Sequence, residues 1–212
     1  MPDFLYSRSG SCTLIAYKEE FFCLLTKHQQ RGFTLDSIRV IKGFYGGSSL
    51  AFDSFFSVDH SGGEEFEDVC ALRIAWSIHR SKSELSDFFL LDPTEPPIEN
   101  CRLLIAIGIP THLSSIEYEP AHIQAKTVTI PCRYRRKMLG PARTHQLEVI
   151  FSDQHLNRAF LLDGMSGGGV FSIDGGLGAY KTHFRGIIVR GGHGMLYMVD
   201  ATFVREMLDK VR

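Results

Sequence analysis

Short β-prone runs, cut by glycine and polar turns, occupy most of this chain and restrict it to an all-β architecture. Runs at 12–17 and 20–26 are joined by the polar pair Lys18-Glu19. Others lie at 37–41, 69–76, 102–109, 124–130, 147–151, 170–173, 186–190 and 195–199. They are rich in Val, Ile, Leu and Phe, the residues that suit a pleated, half-buried surface. Asp174-Gly175-Gly176 reads as a hairpin turn, and Gly191-Gly192-His193-Gly194 bridges the last two strands. A series of this kind buries its apolar faces in a sandwich or a pair of barrels. The end of the chain differs. Asp200 is placed to cap a helix, and Phe203, Val204, Met207, Leu208 and Val211 recur at helical spacing over about three turns.

The 212 residues are enough for one domain with a substantial core and no need of disulfides or metal. The prolines at 93, 96 and 97 resist helix and sheet alike. They divide the domain into a first half, 1–91, and a second, 98–212. Formal net charge is −1, so no whole-protein field draws the chain to nucleic acid or an anionic membrane. The first eight residues lack the basic start and apolar run of a secretory signal. The apolar run at 103–109 is far short of the ~20 residues that span a bilayer. Of five isolated cysteines, Cys12, Cys23, Cys70, Cys101 and Cys132, four sit among apolar or β-branched neighbours and read as small core side chains, and the odd count favours a reducing compartment. The expectation is a cytoplasmic protein with no membrane partner.

Three stretches carry chemistry. In Asp163-Gly164-Met165-Ser166-Gly167-Gly168-Gly169-Val170-Phe171, glycines flank a serine. A nucleophilic hydroxyl needs such a tight turn, with backbone N–H groups aimed where an oxyanion forms. An anion-binding loop would read the same way. Phe22-Cys23-Leu24-Leu25-Thr26-Lys27-His28 is an apolar strand that ends in a histidine. Phe66-Glu67-Asp68-Val69-Cys70-Ala71-Leu72-Arg73-Ile74 sets a carboxylate at the start of a strand, with Asp53 and Asp59 as rivals. Nine histidines are present, but none forms an H-E-x-x-H motif or a close Cys/His ligand set, so neither metal nor cofactor is expected.

Together these stretches resemble the trypsin/chymotrypsin-like serine proteases, in the bacterial, intracellular form. The serine loop is similar to that family's G-x-S-G-G-P-V/L element, the His28 strand to its L-T-A-A-H, and the Asp68 segment to its D-I-A-L-L-K-L. Ser9-Gly10-Ser11-Cys12-Thr13-Leu14-Ile15 and Gly186-Ile187-Ile188-Val189-Arg190-Gly191 resemble further family strands, and Gly108-Ile109-Pro110 resembles its G-Y/F-P step. The order His, Asp, Ser is the chymotrypsin order.

The resemblance implies two packed six-stranded antiparallel β-barrels with a C-terminal helix and the site in the cleft between them. It implies a serine endopeptidase acting on protein or peptide. Ser166 is then the nucleophile, His28 the general base and Asp68 its orienting acid, with an oxyanion hole from the N–H groups of Gly164 and Ser166. It puts Phe160 at the base of the primary pocket and Val189, Arg190 and Gly191 along its wall. No acid stands there to select Arg or Lys.

The sequence also departs from the family. Lys27 replaces a small residue. Gly169 stands in place of proline, which predicts a looser loop. Met165 stands where secreted members hold an aspartate that binds a newly cut N-terminus. The enzyme is therefore expected to be latent and switched on by a protein partner or another trigger. Two alternatives are an inactive module of the same fold and a nucleic-acid-binding barrel using Arg133-Tyr134-Arg135-Arg136-Lys137 with Arg143. A solvated hairpin is the plainer reading of that basic run, so nucleic acid is not expected as a partner.

Overall fold

The structure is a computed structural model. It describes residues 10–30, 34–38, 40–41, 49–57, 68–75, 87–92, 98–101, 103–118, 121–137, 144–150, 162–176 and 179–210. In the first half, β1 (Thr13–Tyr17), β2 (Glu20–Thr26), β5 (Phe52–Ser57), β6 (Val69–Ile74) and β7 (Phe89–Leu90) form one sheet in the order β5-β6-β2-β1-β7. A short helix α1 (Lys27–Gln30) follows β2, and β3 (Val40–Ile41) pairs with β4 (Ser49–Leu50). Ladders are antiparallel except where β7 joins β1 in parallel. The turn at Lys18-Glu19 holds both residues at positive φ, 47° and 68°, as a two-residue hairpin connection requires.

Both faces of this sheet are covered, which explains why its strands read as nearly continuous apolar runs. Ile15, Tyr17, Phe22, Leu24, Val69 and Ala71 belong to one core cluster, and Cys23, Leu25, Cys70 and Leu72 to another. The alternation follows the period of two along a strand.

The second half contains β8 (Leu104–Gly108), the hairpin of β9 (Ser114–Tyr118) and β10 (Ala121–Ala125), β11 (Val128–Lys137), β12 (Thr144–Val149), β13 (Gly169–Gly176), β14 (Ala179–Gly192) and β15 (Met195–Asp200). Six of these close a barrel in the order β11-β12-β15-β14-β13-β8. Its core includes Leu104, Ala106, Ile130, Cys132, Leu147, Val170, Ile188, Leu196 and Met198. Helix α2 (Ala201–Asp209) ends the described chain. Asp200 caps it as expected, its carboxylate accepting from Phe203 N at 2.8 Å, and Phe203, Val204, Met207 and Leu208 are buried. Val211 lies outside the described residues.

One core cluster crosses between the halves. Phe171, Phe184, Ile187, Val189 and Val199 of the barrel, with the α2 residues, pack on Ile15, Tyr17, Phe22, Leu24, Val69 and Ala71. Lys18 Nζ and Tyr17 Oη also reach Asp209 at 2.6 and 3.1 Å, so the β1–β2 turn is tied to the terminal helix.

Local readings differ from expectation in several places: among the described residues the run at 37–41 is strand only at Val40–Ile41, that at 124–130 is split between β10 and β11, and three others have a physical reason. Asp174-Gly175-Gly176 is not the turn. The β13–β14 ladder continues through Asp174↔Lys181, Gly175↔Tyr180 and Gly176↔Ala179. Asp174 is held in strand by His183 and Arg185 at 3.7 and 3.3 Å. Strand β5 was not anticipated, because Asp53 and Ser54 interrupt its apolar pattern; both bind Arg73 across the ladder. Of the Gly191–Gly194 bridge, only His193 and Gly194 turn the chain, with φ of 51° and 75°, while Gly192 still pairs with Met195.

Candidate active site

The β2–β6 register brings two of the three candidate residues together. Thr26 faces Val69 in an antiparallel ladder, so the next residue along one strand meets the previous residue of the other. Lys27 N accordingly donates to Asp68 O at 2.6 Å. Helix α1 then turns His28 back over Asp68. The His28 backbone N–H donates to Asp68 Oδ1 at 2.9 Å, and the imidazole Nδ1 pairs with Asp68 Oδ2. The His28 side chain is 42% exposed and that of Asp68 19%, so the ring stands at a surface with its acid behind it. Asp53, a rival for this role, is engaged elsewhere. Burial alone would raise its carboxyl, but hydrogen bonds from Arg73 and Ser54 outweigh that and hold it below the ordinary value. Asp59 lies outside the described residues.

Ser166 sits on a loop built almost entirely from backbone hydrogen bonds. Met165 N donates to Leu162 O at 3.1 Å, Gly168 N to Met165 O at 2.9 Å and Gly167 N to Ile188 O at 2.8 Å. Gly164 and Gly167 take φ of 87° and 83°, and a Cβ on Gly167 would run into the Ser11 carbonyl. Met165 is fully buried in the barrel core, with its thioether against Gly108. The loop is anchored here by an apolar side chain.

Gly169 is not a slack point in this loop. It pairs with Ile107 on one side and Ile187 on the other. An added Cβ would meet the Phe171 ring at 2.7 Å and Thr13 Oγ1 at 3.1 Å. Glycine here answers to packing.

The two oxyanion candidates have orientations that follow from peptide planarity. In a trans peptide the N–H points opposite the C=O of the preceding residue. Asp163 O accepts from Thr111 N at 2.7 Å, so Gly164 N–H faces away from Thr111. Met165 O accepts from Gly168 N, so Ser166 N–H faces away from Gly168. Among the described residues neither N–H has a protein acceptor.

The nucleophile candidate does not touch the base. Ser166 Oγ donates to Val189 O at 3.1 Å, and His28 Nε2 lies 3.3 Å from Thr26 Oγ1. Two elements nevertheless hold the loop beside the histidine segment. Ser11, buried before β1, donates through N and Oγ to Gly164 O at 3.1 and 2.6 Å, and its Oγ accepts from Ile109 N at 2.7 Å. Gln29, next to His28, donates to Ser166 O at 3.0 Å. Sequence reasoning placed Ser11 and Thr26 inside recognisable strands but gave them no role, and it passed over Gln29. An amide beside a histidine carries no signal until the fold shows it buried.

Of the pocket candidates, Val189 is buried and meets Ser166 through its carbonyl. The Arg190 guanidinium lies over the Tyr197 ring at 4.2 Å, a cation–π contact. Gly191 packs so closely on Leu162 that a Cβ would approach it to 2.8 Å. Phe160 lies outside the described residues.

The basic run is part of β11. Arg135 pairs with Glu148 at 3.2 Å and Arg136 donates to Gln146 at 3.0 Å, while Tyr134 packs against the barrel core. Arg143 is outside the described residues. All five cysteines are free thiols. Burial pushes Cys70 and Cys132 up to about 12, so neither is a nucleophile. No group of three metal-ligating side chains occurs among the described residues, nor does a helix long and apolar enough to cross a membrane.

A closed antiparallel barrel packed on a second β sheet, with the His–Asp pair on one half and a glycine-framed serine loop on the other, defines the chymotrypsin-like fold, and the chain has that fold. Among solved structures it is similar to human heparin binding protein, at 11% identity and a TM-score of 0.60 over 94% of this chain and 83% of that one. It is likewise similar to a mutant of human heparin binding protein (CAP37), at 12% identity and a TM-score of 0.62 over 97% and 86%. An atomic-resolution structure titled HBP matches at 12% identity and a TM-score of 0.59 over 94% and 84%. No family model and no curated protein sequence matches the chain.

Proposed function

We propose that this chain is a serine endopeptidase that works through an acyl-enzyme and rests in a latent arrangement. The observation that carries the reading is the His28–Asp68 pair, joined by both backbone and ring, beside a serine loop with two unclaimed N–H groups. In the proposed reaction His28 Nε2 takes the Ser166 proton as Oγ attacks a peptide carbonyl. Asp68 holds Nδ1–H in place and stabilises the imidazolium. The N–H groups of Gly164 and Ser166 receive the oxyanion. His28 then passes the proton to the leaving amine, and water repeats the sequence to release the acyl group.

For this chemistry Ser166 Oγ must leave Val189 O, and His28 Nε2 must leave Thr26 Oγ1. That rearrangement is the proposed trigger point, set by substrate or by an activating protein partner. The single 1–212 domain with its two halves, and the cytoplasmic setting, belong to the same proposal. A fold does not carry an activity by itself, and the structural neighbours are named for heparin binding and not for catalysis. The unmade Ser166–His28 contact therefore also favours a second reading, an inactive binding module of the same fold.

A fluorophosphonate probe separates the two. The protease reading expects a mass adduct on the intact protein, absent in Ser166→Ala and His28→Ala. No adduct either on purified protein or in cell lysate would leave the inactive module.

A further inference from the structure

We propose that Gln29 is the positioning residue of this site, a buried amide that fixes the serine loop against the histidine segment. The proposal rests on the serine-protease reading for its chemistry, but its structural part stands without it. Gln29 follows His28 in α1 and is only 6% exposed. Its Oε1 accepts from Thr26 N and from Thr26 Oγ1, both at 2.7 Å. Its Nε2 donates to Ser11 O at 2.9 Å and to Ser166 O at 3.0 Å. Two lone pairs and two N–H groups are the whole capacity of a side-chain amide, and all four are used.

Each end of the amide meets a different part of the site. Thr26 is the last residue of β2, and its hydroxyl faces His28 Nε2 at 3.3 Å. Ser166 O belongs to the nucleophile candidate, and Ser11 also grips Gly164, the other oxyanion donor. The amide therefore sets the spacing between base and nucleophile without touching a substrate. The backbone is shaped to admit it. A Cβ on Gly10 would overlap Gln29 Nε2, and one on Gly167 would come within 2.8 Å of Oε1. Gly10 and Gly167 both hold positive φ, 140° and 83°, and so turn their open sides to the amide.

The polarity of the amide matters as much as its size. Thr26 presents two donors and the Ser11 and Ser166 carbonyls present two acceptors. Only a group with an accepting end and a donating end satisfies all four. Methionine, of similar length, satisfies none. A carboxylate satisfies Thr26 but turns oxygen toward two carbonyl oxygens.

Gln29→Met and Gln29→Glu test this with two readouts. The first is backbone amide hydrogen exchange at 164–168, with the barrel strands β8 and β15 as an internal control for global opening. The second is the rate of phosphonylation by a fluorophosphonate, in which Ser166 Oγ bonds phosphorus, fluoride leaves and the hydroxyl proton goes to His28. Exchange at Gly167 and Gly168 should rise at least tenfold in both variants, with the control strands unchanged. The phosphonylation rate at saturating probe should fall about 10- to 100-fold, as a misplacement of around 1 Å can cause, while the half-saturating concentration stays put.

If either variant fails to fold, Gln29→Asn serves instead. It is one methylene shorter and reaches Thr26 or the two carbonyls, not both. Unchanged loop exchange in a folded variant overturns the proposal, whatever the activity. Faster exchange with an unchanged phosphonylation rate overturns its catalytic part. Faster exchange in a protein whose wild type takes no probe, either purified or in cell lysate, would keep the staple and refute the protease reading.

Discussion

Asp68→Asn tests the site most sharply, because the geometry around Asp68 leaves asparagine no way to imitate the acid. Both carboxylate oxygens accept: Oδ1 from the His28 backbone N–H at 2.9 Å, Oδ2 from the imidazole Nδ1. Asparagine has the same shape but one accepting atom. If its oxygen keeps the backbone N–H, its NH₂ faces Nδ1, and the ring must present a lone pair there. The ring proton then moves to Nε2, and the atom meant to take the Ser166 proton is already protonated. If the amide flips instead, the His28 N–H is left against a donor, and α1 must shift.

Either way the base is lost while the side-chain volume is unchanged. The expected fall in acylation rate is about ten-thousand-fold, the cost of the wrong tautomer in a triad of this type. Stability should fall by only about 1.5–3 kcal/mol, the range for losing one hydrogen bond to a charged group. The assay is fluorophosphonate labelling followed by intact mass over time, with thermal unfolding alongside. A labelling rate within tenfold of wild type, in a variant that folds, would refute the assignment of His28 and Asp68 as base and orienting acid.

Other expectations follow from the packing. Gly169→Ala should destabilise the protein by about 1–3 kcal/mol, the usual range for overpacking, since its Cβ would press on the Phe171 ring at 2.7 Å; a melting temperature equal to wild type would contradict this. Asp200→Ala should cost about 1 kcal/mol in chemical denaturation through loss of the α2 cap, and more if the 3.2 Å contact with buried His145 adds to it. In timed alkylation of the native protein, Cys70 and Cys132, pushed by burial up to about 12, should react only on unfolding. Half-buried Cys12, held below its ordinary value by a hydrogen bond from Cys23, should react before Cys23, whose thiol is raised.

The fold was legible in the sequence where strands carry their own pattern. β1, β2, β6, β8 and β15 fall where the apolar runs put them, because residues such as Phe22, Leu24, Val69 and Ala71 share a buried face fixed by a period of two. β5 was hidden because its polar residues are satisfied by Arg73 on the neighbouring strand, a partner that local reading cannot supply. The turn placed at Asp174-Gly175-Gly176 failed for the same reason: the ion pair with Arg185 and the contact with His183 keep Asp174 in the ladder. At the candidate site, order and motif singled out His28, Asp68 and Ser166, of which the fold joins His28 to Asp68. They did not reveal Gln29, Ser11 or Thr26, whose roles come from backbone carbonyls brought close by folding. Gly169 shows the converse. Its identity suggested looseness, and only the Phe171 ring explains it.

On the proposed reading, the same geometry bounds how strong the latency can be. The loop backbone is already held by Met165 in the core and by the Ser11 and Gln29 contacts, so activation asks for no refolding. The contacts that must change involve two side chains. Ser166 Oγ exchanges Val189 O for His28 Nε2, and His28 Nε2 gives up Thr26 Oγ1. The Thr26 hydroxyl proton is taken by Gln29 Oε1, so the hydrogen bond given up is Ser166–Val189, worth about 0.5–1.5 kcal/mol net, and the new Ser166–His28 bond returns a similar amount. The gap between resting and attacking forms is then within about 1 kcal/mol, which corresponds to roughly fivefold at most. A partner or substrate can remove that factor but has no more to give. Slow intrinsic labelling by a fluorophosphonate, accelerated by no more than about this factor, is the behaviour of such a switch. Complete silence followed by activation of a thousandfold or more would demand a rearrangement larger than these two torsions, and would place the latency in some other part of the molecule.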